Sequence, residues 1–208
     1  MIDASLNEVE ALAAKAARGA GLAWGLCEDT GKAARWLAAC GLDWAPSLLA
    51  LLAAHDKLGG PLDRNSDCQL SPFLTGTYLA DLGAADQTLK QVANPLWLLP
   101  FAARVAATRG NAIRVGWGTV AVSVWPSGGD VAGTFSDLQA VEASAVTWGL
   151  VVPGQGAAVI EAPLAHSTRS SIRLADWQAL EALGARTYAP ASAQSRATGA
   201  GAGLTDSD

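Results

Sequence analysis

Trp24, Glu28, Lys32 and Arg35 are separated by four, four and three positions. On a helix that spacing puts an aromatic ring, a carboxylate, an ammonium and a guanidinium on one face. Such a stripe is able to grip an anionic metabolite, with Glu28 as the acid or base; a solvated face with an ordinary i, i+4 ion pair is the plainer alternative. A second set lies near the end of the chain, where Tyr188, Ser192, Ser195, Arg196, Gly199 and Gly201 bring hydroxyls, a guanidinium and spaced glycines together. Glycines there expose backbone N–H groups that suit a phosphate or carboxylate, and a flexible terminal tail is the alternative. The run follows no predicted strand and lacks G-x-G-x-x-G, which excludes a Rossmann dinucleotide site. His166 precedes Ser167 and Thr168, so its imidazole is a candidate base beside a hydroxyl. Cys68, in Asp67-Cys68-Gln69, is a candidate nucleophile, with a plain loop thiol as the alternative. No His, Cys or carboxylate spacing matches a zinc site, and neither a metal nor another cofactor is expected.

These residues have to be positioned by local elements, and the first half of the chain reads as helical. Ser5-Leu6-Asn7-Glu8 has the S-x-x-E spacing of a capping box, which predicts a helix from about Leu6 to Arg18. A second helix, carrying the polar stripe, is predicted from Leu22 to Cys40, with Leu22, Leu26, Thr30, Ala33, Leu37 and Cys40 on its buried face and Gly41 as its stop. A third runs from Ala45 to Lys57, apolar nearly all round. Gly59 to Gln69 is dense in turn formers and reads as an exposed loop. Ser71-Pro72 opens a helix to about Leu82, and Asn94-Pro95 opens another to about Arg109 in which Pro100 kinks the chain or splits off a first turn.

From Ala112 the period changes from helical to alternating. Ala112 to Trp117 and Thr119 to Trp125 are predicted strands rich in Val, Ile and Trp. Pro126 to Asp130 is a predicted turn, Ala145 to Val152 a third strand and Ser167 to Leu174 a fourth, before a short helix from Asp176 to Leu183. The fold class expected is therefore α+β: about five helices in the N-terminal half and a mainly antiparallel sheet of about four strands in the C-terminal half. The expectation for domains is one, over residues 1–208, with a helical part to about 110, a strand-rich part to about 188 and a glycine-rich segment from 189.

Composition narrows the function classes. With 208 residues, half of them hydrophobic, the chain is able to bury a substantial core. A net charge of −5 lacks the positive field that nucleic-acid binding uses, so no nucleic-acid partner is expected. The most apolar runs are far shorter than the roughly 20 residues of a membrane span, and the first residues carry no basic, then apolar, leader pattern. A cytoplasmic protein with no membrane partner is the expectation, and its three cysteines argue against a disulfide framework. Eight tryptophans, scattered along the chain from Trp24 to Trp177, point to core anchors or to a self-associating surface such as a homodimer.

Ser5-Leu6-Asn7-Glu8-Val9-Glu10, Lys15 to Gly21, Trp24-Gly25-Leu26, Gly31-Lys32-Ala33 and Arg35-Trp36-Leu37 together resemble the opening of a family of uncharacterised bacterial proteins defined as a domain of unknown function. Tyr188-Ala189-Pro190-Ala191-Ser192, Ser195-Arg196 and the glycine run to Asp206 are similar to that family's ending. The resemblance implies no activity and no catalytic residue. Two functional readings follow from the residues. One is a metal-independent enzyme of hydrolase or lyase type, or a binding protein, for a polar carboxylate-bearing metabolite. The other is a non-catalytic homo-oligomeric or accessory subunit of a metabolic enzyme complex.

Overall fold

The computed structural model describes residues 1–58, 70–83, 86–151 and 161–188. Strand β1 (Ile2–Ser5) runs directly into helix α1 (Leu6–Gly19), followed by α2 (Trp24–Ala39), α3 (Ala45–Leu58) and α4 (Pro72–Leu82). Strand β2 (Gln87–Ala93), a single 3-10 turn (Pro95–Leu98) and α5 (Leu99–Arg109) come next. The remainder is β3 (Ile113–Trp117), β4 (Val120–Trp125), β5 (Gly128–Ala132), a short 3-10 segment (Phe135–Gln139), β6 (Glu142–Leu150), β7 (Glu161–Pro163), β8 (Arg169–Ile172) and α6 (Leu174–Ala185). This is the expected α+β arrangement, with helices mainly N-terminal and antiparallel strands mainly C-terminal.

Local chemistry explains where the helices begin. The Ser5 hydroxyl accepts from the Glu8 backbone N–H at 3.3 Å, while the Ser5 N–H donates to Glu8 Oε2 at 2.7 Å. Each group satisfies a donor that the helix start would otherwise orphan. Hydrogen bonding of the Glu8 carboxyl, with the Ser5 side chain foremost and then with the Ser5 backbone N–H, holds it below the usual carboxylate range. Pro72 sits at the first position of α4, and Pro100 is accepted in the first turn of α5 because no intrahelical partner awaits its missing N–H. The 3-10 turn is the split-off first turn anticipated at Pro100.

The sheet is larger than expected. Its six strands run in the order β2-β6-β3-β4-β5-β7 with all named pairs antiparallel, and a separate two-stranded sheet joins β1 to β8. Gly128 to Asp130, expected in a turn, belong to β5, paired with β4 from Trp125↔Gly128 to Ala121↔Ala132. Gly129 fits there because a Cβ would lie 2.8 Å from the Ser123 carbonyl oxygen. Strands β1, β2 and β7, also not anticipated, are polar or very short edge elements whose strand character comes from their partners. At β2 the backbone of Gln91 takes φ +51°, and Leu70 docks alongside, its N–H donating to the Gln91 carbonyl at 2.6 Å. The loop expected at 59–69 and the segment 189–208 lie outside the described residues.

One continuous apolar core joins helices and sheet, through Leu12, Leu37, Trp44, Leu48, Trp97, Val115, Val122, Trp148 and Leu180. Helix α1 is the centre of its helical part, while α5 packs against β3 and β4 of the sheet. In α1, Ala13, Ala16 and Ala17 are fully buried, and the helix packs against α2 on one side and α6 on the other. Both contacts are close enough to exclude side chains. A Cβ on Gly19 would overlap the Leu183 carbonyl of α6, and one on Gly31 of α2 would come within 2.8 Å of the Glu10 carbonyl of α1. Gly19→Ala is therefore expected to cost about 1–3 kcal/mol by overpacking, because the atom in the way is backbone. Gly25→Ala, whose Cβ meets nothing within 4 Å, is expected to be neutral or stabilising by about 0.5 kcal/mol through reduced chain entropy. Urea denaturation of both variants checks the contrast.

Candidate functional site

Helix α2 presents two polar strips. The stripe Trp24, Glu28, Lys32 and Arg35 diverges at its side chains. Trp24 is 66% exposed and lies under Arg18 of α1, whose guanidinium carbon is 3.7 Å from the ring centroid. Arg35 also turns to α1, donating to Asn7 Oδ1 and pairing with Glu10 Oε2 at 3.4 Å. Glu28 is exposed and makes no hydrogen bond or ion pair to a described residue. Of the four, Lys32 lines a groove between α2 and α5.

That groove has a volume of about 440 Å³. Its α2 wall is the strip Asp29, Lys32, Ala33 and Trp36, at i, i+3, i+4 and i+7. Pro100, Phe101 and Arg104 lie on the α5 side, and Pro126 of the β4–β5 turn closes one end. The Trp36 indole N–H donates to the Pro126 carbonyl at 3.0 Å, which ties the helical layer to the turn. At the polar end Arg104 bridges Asp29 at 3.3 Å and Asp81 of α4 at 3.1 Å, while the Thr77 hydroxyl donates to Asp29 Oδ2 at 3.2 Å. Asp29 is thus committed to holding α2, α4 and α5 together. Lys32 makes no ion pair or hydrogen bond to a described residue. The groove thus combines the apolar surfaces of Trp36, Pro100, Phe101 and Pro126 with Asp29 and Arg104, paired with each other, and with Lys32, which is left unpaired among the described residues.

The other anticipated residues stand apart from the groove. His166 is exposed between β7 and β8, and the neighbouring Ser167 hydroxyl is engaged with the backbone of Arg169, accepting its N–H at 3.2 Å, rather than with the imidazole. Tyr188 is 64% exposed just beyond α6. Cys68, Ser192, Ser195, Arg196, Gly199 and Gly201 lie outside the described residues. Cys27 and Cys40 are free thiols in the core, and burial raises both, Cys40 to about 12, which disfavours the thiolate. Among the described residues no group of three or more His, Cys, Asp or Glu is arranged to hold a metal ion, and no helix is long and apolar enough to cross a membrane.

Sequence reasoning passed over Asp29, Trp36, Arg104 and Asp43. The first two were legible as an aromatic and a carboxylate on the same helical strip as Lys32. Arg104 had no such signal, because its partners lie 75 and 23 residues away. Asp43, in the loop between α2 and α3, lines a separate cleft, and burial pushes its carboxyl upward despite the opposing effect of Arg173.

Residues 4–72 match the family model described as "Protein of unknown function (DUF3726)". The resemblance expected from the N-terminal residues holds over this stretch, which contains α1 to α3 and so the α2 wall of the groove. The α5 wall lies beyond it. No curated protein and no solved structure matches the chain.

The groove's two cations carry different loads. Arg104→Ala leaves Asp29, whose side chain is only 19% exposed, without its counter-charge; allowing for the half-exposed guanidinium, the expected cost is about 1–2 kcal/mol. Lys32→Ala is expected to stay within about 0.5 kcal/mol of the parent. Chemical denaturation of the two variants measures the difference.

Proposed function

We propose that the protein binds a small metabolite carrying a carboxylate on an apolar body, in the groove between α2 and α5. The observation that carries the reading is the Lys32 ammonium, left unpaired among the described residues, in a groove also lined by Trp36, Phe101, Pro100 and Pro126. An apolar cavity of a few hundred cubic ångströms with one or two fixed polar groups is the usual form of a small-molecule site. A carboxylate on Lys32 gains a charge-assisted hydrogen bond, and the body of the ligand gains contact with the indole and the prolines. Arg104, already paired with Asp29 and Asp81, fixes the α5 wall before any ligand arrives, which lowers the ordering cost of binding and leaves Lys32 as the cation for the carboxylate.

The function proposed is binding. Glu28 and His166 do not line the groove, and Asp29 already accepts bonds from Thr77 and Arg104. These features favour a binding role over a hydrolase or lyase role for this cavity.

Thermal-shift titration with benzoate, phenylacetate and hexanoate, each against its amide, tests the reading. The acids are expected to stabilise the protein in a saturable way, by about 2.7 kcal/mol at a hundredfold excess over Kd. The amides should bind about tenfold more weakly or worse, and Lys32→Ala should remove the preference for the acid. If no acid shifts the melting temperature at about 10 mM, and the melting temperature instead rises with protein concentration, the subunit reading replaces this one.

A further inference from the structure

A second cavity, an open cleft of about 360 Å³, lies between the loop before α3, β8 and the residue that precedes α6, with Asp43, Arg169 and Arg173 exposed to solvent at it. It shares no lining residue with the groove. Asp43, Arg169 and Arg173 bring charge to its walls. Its frame is fixed. The Trp44 indole N–H donates to Ser170 Oγ at 3.2 Å in a buried contact that pins the loop to β8, and the Ser167 N–H donates to the Ala39 carbonyl at 2.7 Å.

The three charged side chains differ in how far they are already used. Arg169 spends its Nε and Nη2 on Asp3, at 2.6 and 2.9 Å. Arg173 donates its Nε to Asp176 Oδ2 at 2.6 Å, which sets the guanidinium plane and leaves both terminal nitrogens without a hydrogen bond to a described residue. Asp43 makes no hydrogen bond or ion pair to a described residue. Arg173 is near enough for its charge to favour the ionised Asp43, and Asp176 near enough to oppose it, yet Asp43 and Arg173 do not close into a salt bridge. An anion and a cation therefore face one cleft unpaired with each other.

We propose that this cleft binds a free α-amino acid, with the ligand ammonium on Asp43 and the ligand carboxylate on the terminal nitrogens of Arg173. The charge pattern selects the zwitterion. A simple anion would meet Asp43 and Asp176 as well as Arg173, and a simple cation would meet Arg169 and Arg173 as well as Asp43. A ligand with both charges a few ångströms apart satisfies each wall, and the guanidinium edge matches a carboxylate in shape. The volume accommodates a small amino acid with its solvent.

Titration of the full chain with the standard L-amino acids, by thermal shift and by NMR, tests this inference, with the N-acetyl and amide forms of any that bind as controls. At least one amino acid is expected to give a saturable response. Removing either ligand charge, as N-acetyl or amide, should weaken it about tenfold or more. Asp43→Asn and Arg173→Gln should each abolish the response while unfolding cooperatively without ligand, and Lys32→Ala should leave it unchanged, which separates this site from the groove. Asp43 must be ionised to hold an ammonium. The charged groups acting on Asp43 are Arg173 and Asp176, and Arg169 and Met1 also line the cleft, so affinity should fall as the pH drops through the raised Asp43 titration. The proposal is overturned if no amino acid binds at about 10 mM, if the uncharged controls bind equally well, or if the response survives in Asp43→Asn.

Discussion

The close approach of helix α1 to α2 and α6 is the contact on which the arrangement of the helices depends. At Gly19 and Gly31 the neighbouring backbone occupies the space a side chain would need, and Ala13, Ala16 and Ala17 complete a surface with almost no relief. Dispersion is short-ranged, so backbones brought this near gain many contacts per residue without large side chains. The gain is conditional, because a single added methyl has nowhere to go. The alanine-rich composition of the N-terminal half is thus a packing requirement and not merely a helix-forming one.

Both cavities inherit their geometry from that contact. Helix α2 is set by its face toward α1, which leaves Asp29, Lys32 and Trp36 directed to the side where α5 lies. Arg104 then fastens α5 and α4 to the same strip through Asp29 and Asp81. On the other flank α6 is set against α1, and β8 pairs with β1, whose last residue caps α1. The cleft at Asp43 opens beside this β1–β8–α6 corner. Its arginines are oriented by the carboxylates of Asp3 and Asp176. One helix therefore organises two walls of charge that never touch each other.

Much of the helical layer was legible because its signals are local. Ser5 and Glu8, Pro72, and Asn94-Pro95 each mark a helix start by chemistry contained within a few residues. Strands β3 and β4 showed in their run of Val, Ile and Trp. The hidden elements were those whose structure is decided at a distance. β5, with two adjacent glycines, is a strand because β4 and β7 flank it. β2 is polar and bends through a left-handed Gln91, and β1 is four residues that pair with a segment almost the whole chain away. The functional residues divide in the same way. Lys32 was visible as part of a helical stripe, but a periodicity cannot say that Trp24 and Arg35 would be drawn to α1 by Arg18 and Glu10. Nor does Asp43 differ in sequence from any loop aspartate until Arg173 and β8 are folded around it.

If α1 joins the α2 flank to the α6 flank, and α2 in turn meets α5 on the sheet, the molecule cannot open one flank and keep the other. Native-state hydrogen exchange along a urea series, read by mass spectrometry, tests this most directly. The account predicts that amides of α1, α2 and α6 lose protection together with those of β3, β4 and β6, in one global step. Exchange of α6 and the β1–β8 pair at a free energy well below that of global unfolding, with α1 and α2 still protected, would contradict it.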